Sequence, residues 1–475
     1  MVASQLTVKL TVTSECLLSD APEELRAIIR EQLTVDNPKY LAAQRYSRWV
    51  GKQIKPKLFF YREEGNSLIF PRGFGNRAVL LCRGLLGVDP VLIDQRRKVA
   101  PVHYTFLGEL RPYQQEAVQA LTSHSFGVLE AGTGSGKTVM ALKMIAKRRQ
   151  PSIILVHSRE LLEQWMERIA TFLNIQAGQA GGGRYDPRPV TVAIVNTARN
   201  RLDDLVPRFG QLIVDECHRV PATLFTEVVS GFDTFYMLGL SATAFRREVG
   251  MTRLIYSYMG DRVHSVAPEV LTETGAVVRP DLLQRETAFF APYSGEYPQL
   301  IKALTQDHKR NQQIVSDVVE IIHQGEEGEQ GNEGNAGNAG NAGNAGTVLL
   351  VSDRVAHCQE LLHGLRQKNI IAEMLTGSIS LTARAKIVQQ VQKGEVQVLL
   401  STLQLISEGF DCPDLSTLVL TTPIRFEGRL LQVVGRIMRP AEGKKALVID
   451  YVDTKIGVLH RSGLARAEMF ARWQE

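Results

Sequence analysis

The chain has 475 residues, 44% apolar and 22% charged, with a formal net charge of +5. That length exceeds what one compact core accommodates, the ordinary apolar content excludes a disordered chain, and no apolar run approaches the ~18 residues a membrane span needs. Five cysteines (Cys16, Cys82, Cys217, Cys358, Cys412) lie far apart without a C-x-x-C pair, so a disulfide frame and a zinc site are excluded and reduced thiols in a cytoplasmic protein are expected.

Residues 1–105 read as a small α+β domain. Leu6, Val8, Leu10 and Val12 alternate with polar residues, the period of a half-buried strand, and no secretion signal is visible. Ser19, Asp20 and Pro22 followed by Glu23 and Glu24 predict a helix to about Leu33. Residues 58–61 and 67–70, separated by Glu63-Glu64-Gly65-Asn66, predict a hairpin. Between residues 41 and 60, Arg45, Arg48, Lys52, Lys55 and Lys57 occur with no acid among them, interleaved with Tyr46, Trp49, Phe59 and Phe60. Such a stretch can neutralise phosphates and stack on bases, giving the domain an auxiliary DNA-contact role; the alternative is a core with Trp49 and Phe59 inside and a solvated basic face.

From about residue 106 the pattern changes to short continuous apolar runs at 128–129, 153–156, 192–195, 212–214 and 237–240, with helical patterns between several of them. Strands buried on both faces look like this, so a mostly parallel sheet is predicted over 106–278. The first run leads into EAGTGSGKT at 130–138, a strand–loop–helix phosphate cradle. Backbone N–H groups of Ala131, Gly132, Thr133, Gly134, Ser135 and Gly136 would face the phosphates of ATP, Lys137 would reach the outer ones, and Thr138 would offer its hydroxyl to Mg²⁺. The run 212–214 ends in Asp215-Glu216-Cys217-His218. Beside a phosphate loop, Asp215 would hold Mg²⁺ through water and Glu216 would orient and deprotonate the attacking water.

A second series of runs, at 348–351, 396–400, 418–420 and 447–449, predicts another parallel-sheet domain over 279–475. Residues 325–346 carry repeated Gly-Asn-Ala, which cannot bury apolar surface and is expected to be a disordered loop interrupting this domain.

The ordered set of motifs resembles superfamily 2 helicases of the D-E-x-H type over about residues 106–450. The resemblance implies two tandem RecA-like motor domains. In it Arg111 and Gln114 read the adenine, and Ala131 is the usual form of the loop's first glycine. Ser158, Arg159 and Thr197 contact the tracking strand from the first domain, and Ser352, Arg354, Thr376, Gly377, Ser401 and Thr402 do so from the second. Gly409 and Asp411 touch the nucleotide. His218, Ser241, Thr243 and Gln432 couple hydrolysis to movement, while Arg436 and Arg439, three apart on an expected helix, are the arginine fingers. A charge-rich phosphoryl transition state calls for such cations, and supplying them from the other domain makes hydrolysis depend on domain closure.

Residues 239–260, with Asp307, Arg310 and Asn311, are similar to the XPB-like and phage UvsW-like repair helicases, although Ala244 stands where those relatives place proline. The resemblance implies an ATP- and Mg²⁺-dependent DNA helicase or translocase, with RNA as the alternative substrate and no membrane partner. Two rivals stand beside it: a duplex-DNA translocase subunit of a restriction or defence complex, and an ATP-gated clamp or sensor that grips nucleic acid without travelling.

Overall fold

The computed structural model describes residues 7–37, 40–41, 44, 54–218, 222–242, 249–330, 346–377, 379–407, 415–424, 427–441 and 444–472. The chain is α/β and divides into two compact units, Met1–Ala131 with Gly136–Val266, and Gly132–Ser135 with Ala267–Glu475. Among the described residues no helix is long and apolar enough to cross a membrane.

The first unit begins with a five-stranded sheet. Its strands are β1 (Lys9–Val12), β2 (Glu15–Ser19), β5 (Arg62–Glu64), β6 (Ser67–Pro71) and β7 (Val91–Asp94), in the order β5-β6-β2-β1-β7. Two short strands, β3 (Thr34–Asp36) and β4 (Lys57–Phe59), pair separately. The expected hairpin is therefore corrected: Ser67–Pro71 turns back on Arg62–Glu64, and Lys57–Phe59 pairs with Thr34–Asp36 instead. The helix Glu23–Gln32 follows Pro22 and has two acids in its first turn; Leu25 and Ile29, four apart on one face, are buried against the sheet. Phe59 is 54% exposed beside the exposed Lys55 and Lys57, so it is not a core residue.

This small sheet is fastened to the larger one by buried groups. Arg72 is 2% exposed, and its Nη1 donates 2.7 Å to the Thr234 carbonyl. Beside it, a Cβ on Gly73 would stand 2.4 Å from the Gly260 nitrogen and 2.5 Å from the Tyr256 carbonyl, so only glycine permits this approach to the helix Val249–Met259. Arg97 bridges to the same region, donating its backbone N–H to the Asp233 carbonyl at 2.8 Å.

The larger sheet of the first unit has eight strands: β8 (Phe126–Ala131), β9 (Ser152–Val156), β10 (Gly178–Gly181), β11 (Arg184–Asp186), β12 (Val190–Ile194), β13 (Gln211–Val214), β14 (Tyr236–Ser241) and β15 (Arg262–Val266). Their order is β11-β10-β12-β9-β13-β14-β8-β15, and every pairing is parallel except β10 with β11. All residues of β9 and β13 are buried, as their unbroken apolar runs predict for strands covered on both faces.

In the second unit six parallel strands, β16 (Pro280–Glu286), β17 (Thr347–Ser352), β18 (Ala372–Leu375), β19 (Val398–Thr402), β20 (Leu415–Leu420) and β21 (Ala446–Val452), take the order β16-β21-β20-β17-β19-β18. A buried ion pair, Arg310 Nε to Asp453 Oδ1 at 2.8 Å, is completed by Thr287 and by the Thr421 carbonyl. The helix His308–Gln330 continues past residue 325, where the sequence suggests that the loop begins; residues 331–345 lie outside the described residues.

Candidate active site

Because β8, β9, β12, β13 and β14 are parallel, their C-terminal ends share one edge of the sheet. That edge collects the phosphate-loop sequence after β8, Ser158 after β9, Thr197 after β12, Asp215 after β13 and Ser241 at the end of β14. In open parallel sheets this carboxyl edge is where ligands bind.

The glycines of the loop have specific work. Gly134 (φ 85°) and Gly136 (φ 78°) adopt the left-handed backbone that glycine tolerates without strain. A Cβ on Gly136 would also lie 2.4 Å from Gln114 Nε2, so this glutamine packs directly against the loop. Gln114 is buried, and its Oε1 accepts the Arg111 backbone N–H at 3.0 Å, which fixes the start of the helix Pro112–Thr122. Ser135 Oγ donates to the Gly132 carbonyl at 2.7 Å. Lys137 opens the helix Lys137–Arg148, with Thr138 in its first turn. Its Nζ donates to the Ala131 carbonyl at 2.8 Å and lies 3.8 Å from Glu216 Oε1.

The acidic pair is held from both sides. Asp215 Oδ1 accepts the backbone N–H of Glu216 at 2.9 Å, and Oδ2 accepts the indole N–H of Trp165 at 2.8 Å. Burial, followed by the neighbouring Glu216 charge, pushes the Asp215 carboxyl up to about 6 despite the opposing pull of Trp165 and Lys137. Glu216 sits at φ 46°, an uncommon backbone for a side chain with a Cβ. His218 Nδ1 lies 3.3 Å from Glu216 Oε2 and shares a 2.8 Å hydrogen bond with Ser241 Oγ, so the acidic loop and the end of β14 are directly joined.

Among the described residues no cluster of three or more His, Cys, Asp or Glu could hold a metal. A divalent cation carried on nucleotide phosphates needs only one or two protein carboxylates, and Asp215 with Thr138 would be the donors to hold one here. Each Asp215 oxygen keeps a lone pair beyond its N–H bond, enough for a water-mediated ligand.

The strand-contact candidates divide. Ser158 is the N-cap of the helix Arg159–Leu173, its Oγ accepting the Leu161 N–H at 3.3 Å, while Arg159 is exposed and paired with Glu163. Thr197 is half-buried in the short helix Val195–Arg199. In the second unit Ser352 is fully buried; its Oγ accepts the Arg354 N–H at 3.1 Å and shares a 2.9 Å bond with His357 Nδ1, while Arg354 is exposed. Thr376 and Ser401 are buried, Thr402 is half-buried, and Gly377 is exposed, all at the carboxyl ends of β18 and β19 in the six-stranded sheet.

Gln432 is buried in the helix Glu427–Val434, which ends before Arg436. Arg436 thus lies in the turn after the helix, not on it with Arg439, and its Nε donates to the Ile406 carbonyl at 3.1 Å. Thr243, Gly409, Asp411, Arg45, Arg48 and Lys52 lie outside the described residues.

Two features escaped the sequence reading. Trp165 was hidden in an apolar stripe with Leu162, Ile169 and Leu173; the general need of a buried indole for an acceptor was the available signal. Gly181, Gly182 and Gly183, all at positive φ, turn β10 into β11 at the carboxyl edge, with Gly182 against the Arg159 side chain.

Two families match the chain: "Type III restriction enzyme, res subunit" over residues 107–246 and "Helicase conserved C-terminal domain" over residues 338–441. Probable helicase D10 of Escherichia phage T5 is 26% identical over 68% of this chain and 67% of its own. DNA 3'-5' translocase XPB2 of Sulfurisphaera tokodaii is 26% identical over 72% of this chain and 81% of its own. In fold the chain is similar to S. cerevisiae Dbp5 bound to RNA and ADP BeF3, with a TM-score of 0.53 at 14% identity over 77% of this chain and 88% of that one.

Proposed function

Since the chain belongs to the superfamily 2 helicases and is an ATP-hydrolysing enzyme of that kind, we propose that it is a DNA motor which couples MgATP hydrolysis to movement along DNA. Residues 1–105 form an auxiliary DNA-contact domain, 106–278 the nucleotide-binding motor domain, and 279–475 the second motor domain. The single observation that carries this reading is the carboxyl edge of the eight-stranded sheet. There Thr197, Ser158 and Asp215-Glu216 follow the adjacent strands β12, β9 and β13, and the phosphate loop follows β8 one strand further on, beyond β14.

The glycine loop cradles the triphosphate, Gln114 and Arg111 hold the base, and Lys137 bears on the outer phosphates. Mg²⁺, when bound with the nucleotide, neutralises developing phosphate charge, with Thr138 and water on Asp215 as its protein partners. Glu216 takes a proton from the attacking water. Arg436 and Arg439 counter the charge of the transition state, and Gly409 and Asp411 touch the nucleotide. His218, bonded to Ser241, transmits the state of the acidic loop to β14, with Thr243 and Gln432 continuing the coupling. Arg159, Thr197, Arg354, Gly377 and Thr402 face the strand, and the half-buried Ser158 with the buried Ser352, Thr376 and Ser401 shape the backbone that meets it.

The XPB2 name favours DNA and 3'-5' polarity, and D10 comes from a phage; the setting proposed for this chain is repair, recombination or replication in the cytoplasm. The match of 107–246 to a restriction subunit supports a second reading, a translocase that tracks duplex DNA without parting it. Displacement of a strand from a forked duplex, compared with displacement of a third strand from a triplex, separates the two. ATP-dependent release from the fork is the expected result; release from the triplex alone favours the second reading.

A further inference from the structure

Trp165 occupies the second turn of the helix Arg159–Leu173, and its ring is 1% exposed. Packing alone places no demand on where a buried indole N–H ends. Here it ends 2.8 Å from Oδ2 of Asp215, a residue that is itself 6% exposed. The other carboxylate oxygen is held by its own neighbour, the Glu216 N–H, so the indole supplies a hydrogen bond to this side chain from a distant part of the sequence. The same helix begins at the N-cap Ser158 with Arg159 exposed at its first position, both on the carboxyl edge where a strand would lie. An α-helix of this length moves as one body. A shift of its N-terminus by a bound strand therefore moves the indole, and with it the carboxylate.

We propose that Trp165 is a positioning residue which couples strand binding at Ser158 and Arg159 to the placement of the nucleotide-site carboxylate Asp215. This rests on the DNA-motor reading above. Coupling between two binding sites is reciprocal, so nucleotide should alter strand affinity by the same factor as strand alters nucleotide affinity.

The test is a linkage measurement on the full-length chain. Affinity for a fluorescent oligo-dT strand is read by anisotropy with and without Mg²⁺ and a non-hydrolysable ATP analogue, and mant-ATP affinity is read with and without the oligonucleotide. The wild-type chain is expected to show a coupling factor of about 5- to 150-fold. In Trp165→Phe the factor should fall to within about twofold of unity, while each ligand's affinity measured alone stays within about threefold. Benzothienylalanine at position 165 keeps the ring's size without the N–H and should behave like Trp165→Phe, which guards against a folding defect in the phenylalanine variant. A folded variant lacking the N–H that retains the wild-type factor overturns the proposal. Wild-type chain that binds mant-ATP but no oligonucleotide overturns the motor reading, and the proposal with it.

Discussion

The indole N–H of Trp165 donates a 2.8 Å hydrogen bond to Oδ2 of Asp215, joining the helix that starts after Ser158 to a carboxylate at the carboxyl edge of the sheet across fifty positions of sequence. Burial outweighs that bond, and the Asp215 carboxyl is pushed up from 3.8 to about 6. A raised carboxyl pKa means that the folded chain holds a proton which the unfolded chain releases. The contribution to stability is full below the unfolded value and is lost as pH rises through about 6. At neutral pH the ionised Asp215 costs about 1–3 kcal/mol. Asp215→Asn, which keeps an acceptor for the indole, should therefore melt above the wild type at pH 7.5 while losing ATPase activity. The gap should narrow as pH falls from about 6 toward 4. A melting temperature that stays below the wild type across this range would show that burial is not the dominant cost at this carboxylate.

Arg436 reaches its position from the turn after the helix Glu427–Val434, with its Nε on the Ile406 carbonyl. In the proposed mechanism its guanidinium counters the charge of the transition state. Arg436→Ala is expected to lower kcat by about a thousandfold with ATP affinity changed only a few-fold. Lysine should not rescue it, because a single ammonium lacks the planar fork. Steady-state ATPase assays with parallel mant-ATP titrations give both numbers.

Gly73 is where the small N-terminal sheet meets the helix Val249–Met259, and the atoms a Cβ would strike are backbone. Gly73→Ala should destabilise the chain by about 3 kcal/mol or more, since backbone cannot step aside as a side chain can. Gly87→Ala, at φ 70° with open space around it, should cost only about 1 kcal/mol. Thermal melts compare the two, and limited proteolysis of Gly73→Ala should show earlier cutting before residue 106.

Much of this architecture was legible because buried parallel strands write themselves as unbroken apolar runs. The strands β8, β9, β12, β13, β14, β17, β19, β20 and β21 all fall on such runs. Strands with mixed composition were not legible. Gly178–Gly181 carries no β-branched residue, Arg262–Val266 is half polar and binds at the sheet's edge, and Pro280–Glu286 reads as a turn followed by charge. Their place is decided by neighbours distant in sequence, which override local preference. Arg72 and Arg310 illustrate the same limit: each is about 2% exposed, yet an arginine in a sequence is by default a surface residue. The candidate site was legible as far as its glycine loop and acidic pair, whose spacing is set by short-range backbone geometry, and the structure places both after parallel strands at one sheet edge. Trp165 was not, because only the fold brings its indole N–H to Asp215, fifty positions away.

The central claim is that nucleotide turnover in this chain is driven by a strand along which it moves. The most direct measurement is the steady-state ATPase rate as a function of the length of single-stranded DNA, with duplex and forked DNA, RNA and the Glu216→Gln variant beside it. The account predicts a basal rate raised by DNA, with the stimulation increasing with strand length. Glu216→Gln should bind both ligands while its turnover falls by about a hundredfold or more. An ATPase rate indifferent to nucleic acid, or equally stimulated by the shortest and the longest strands, would contradict it.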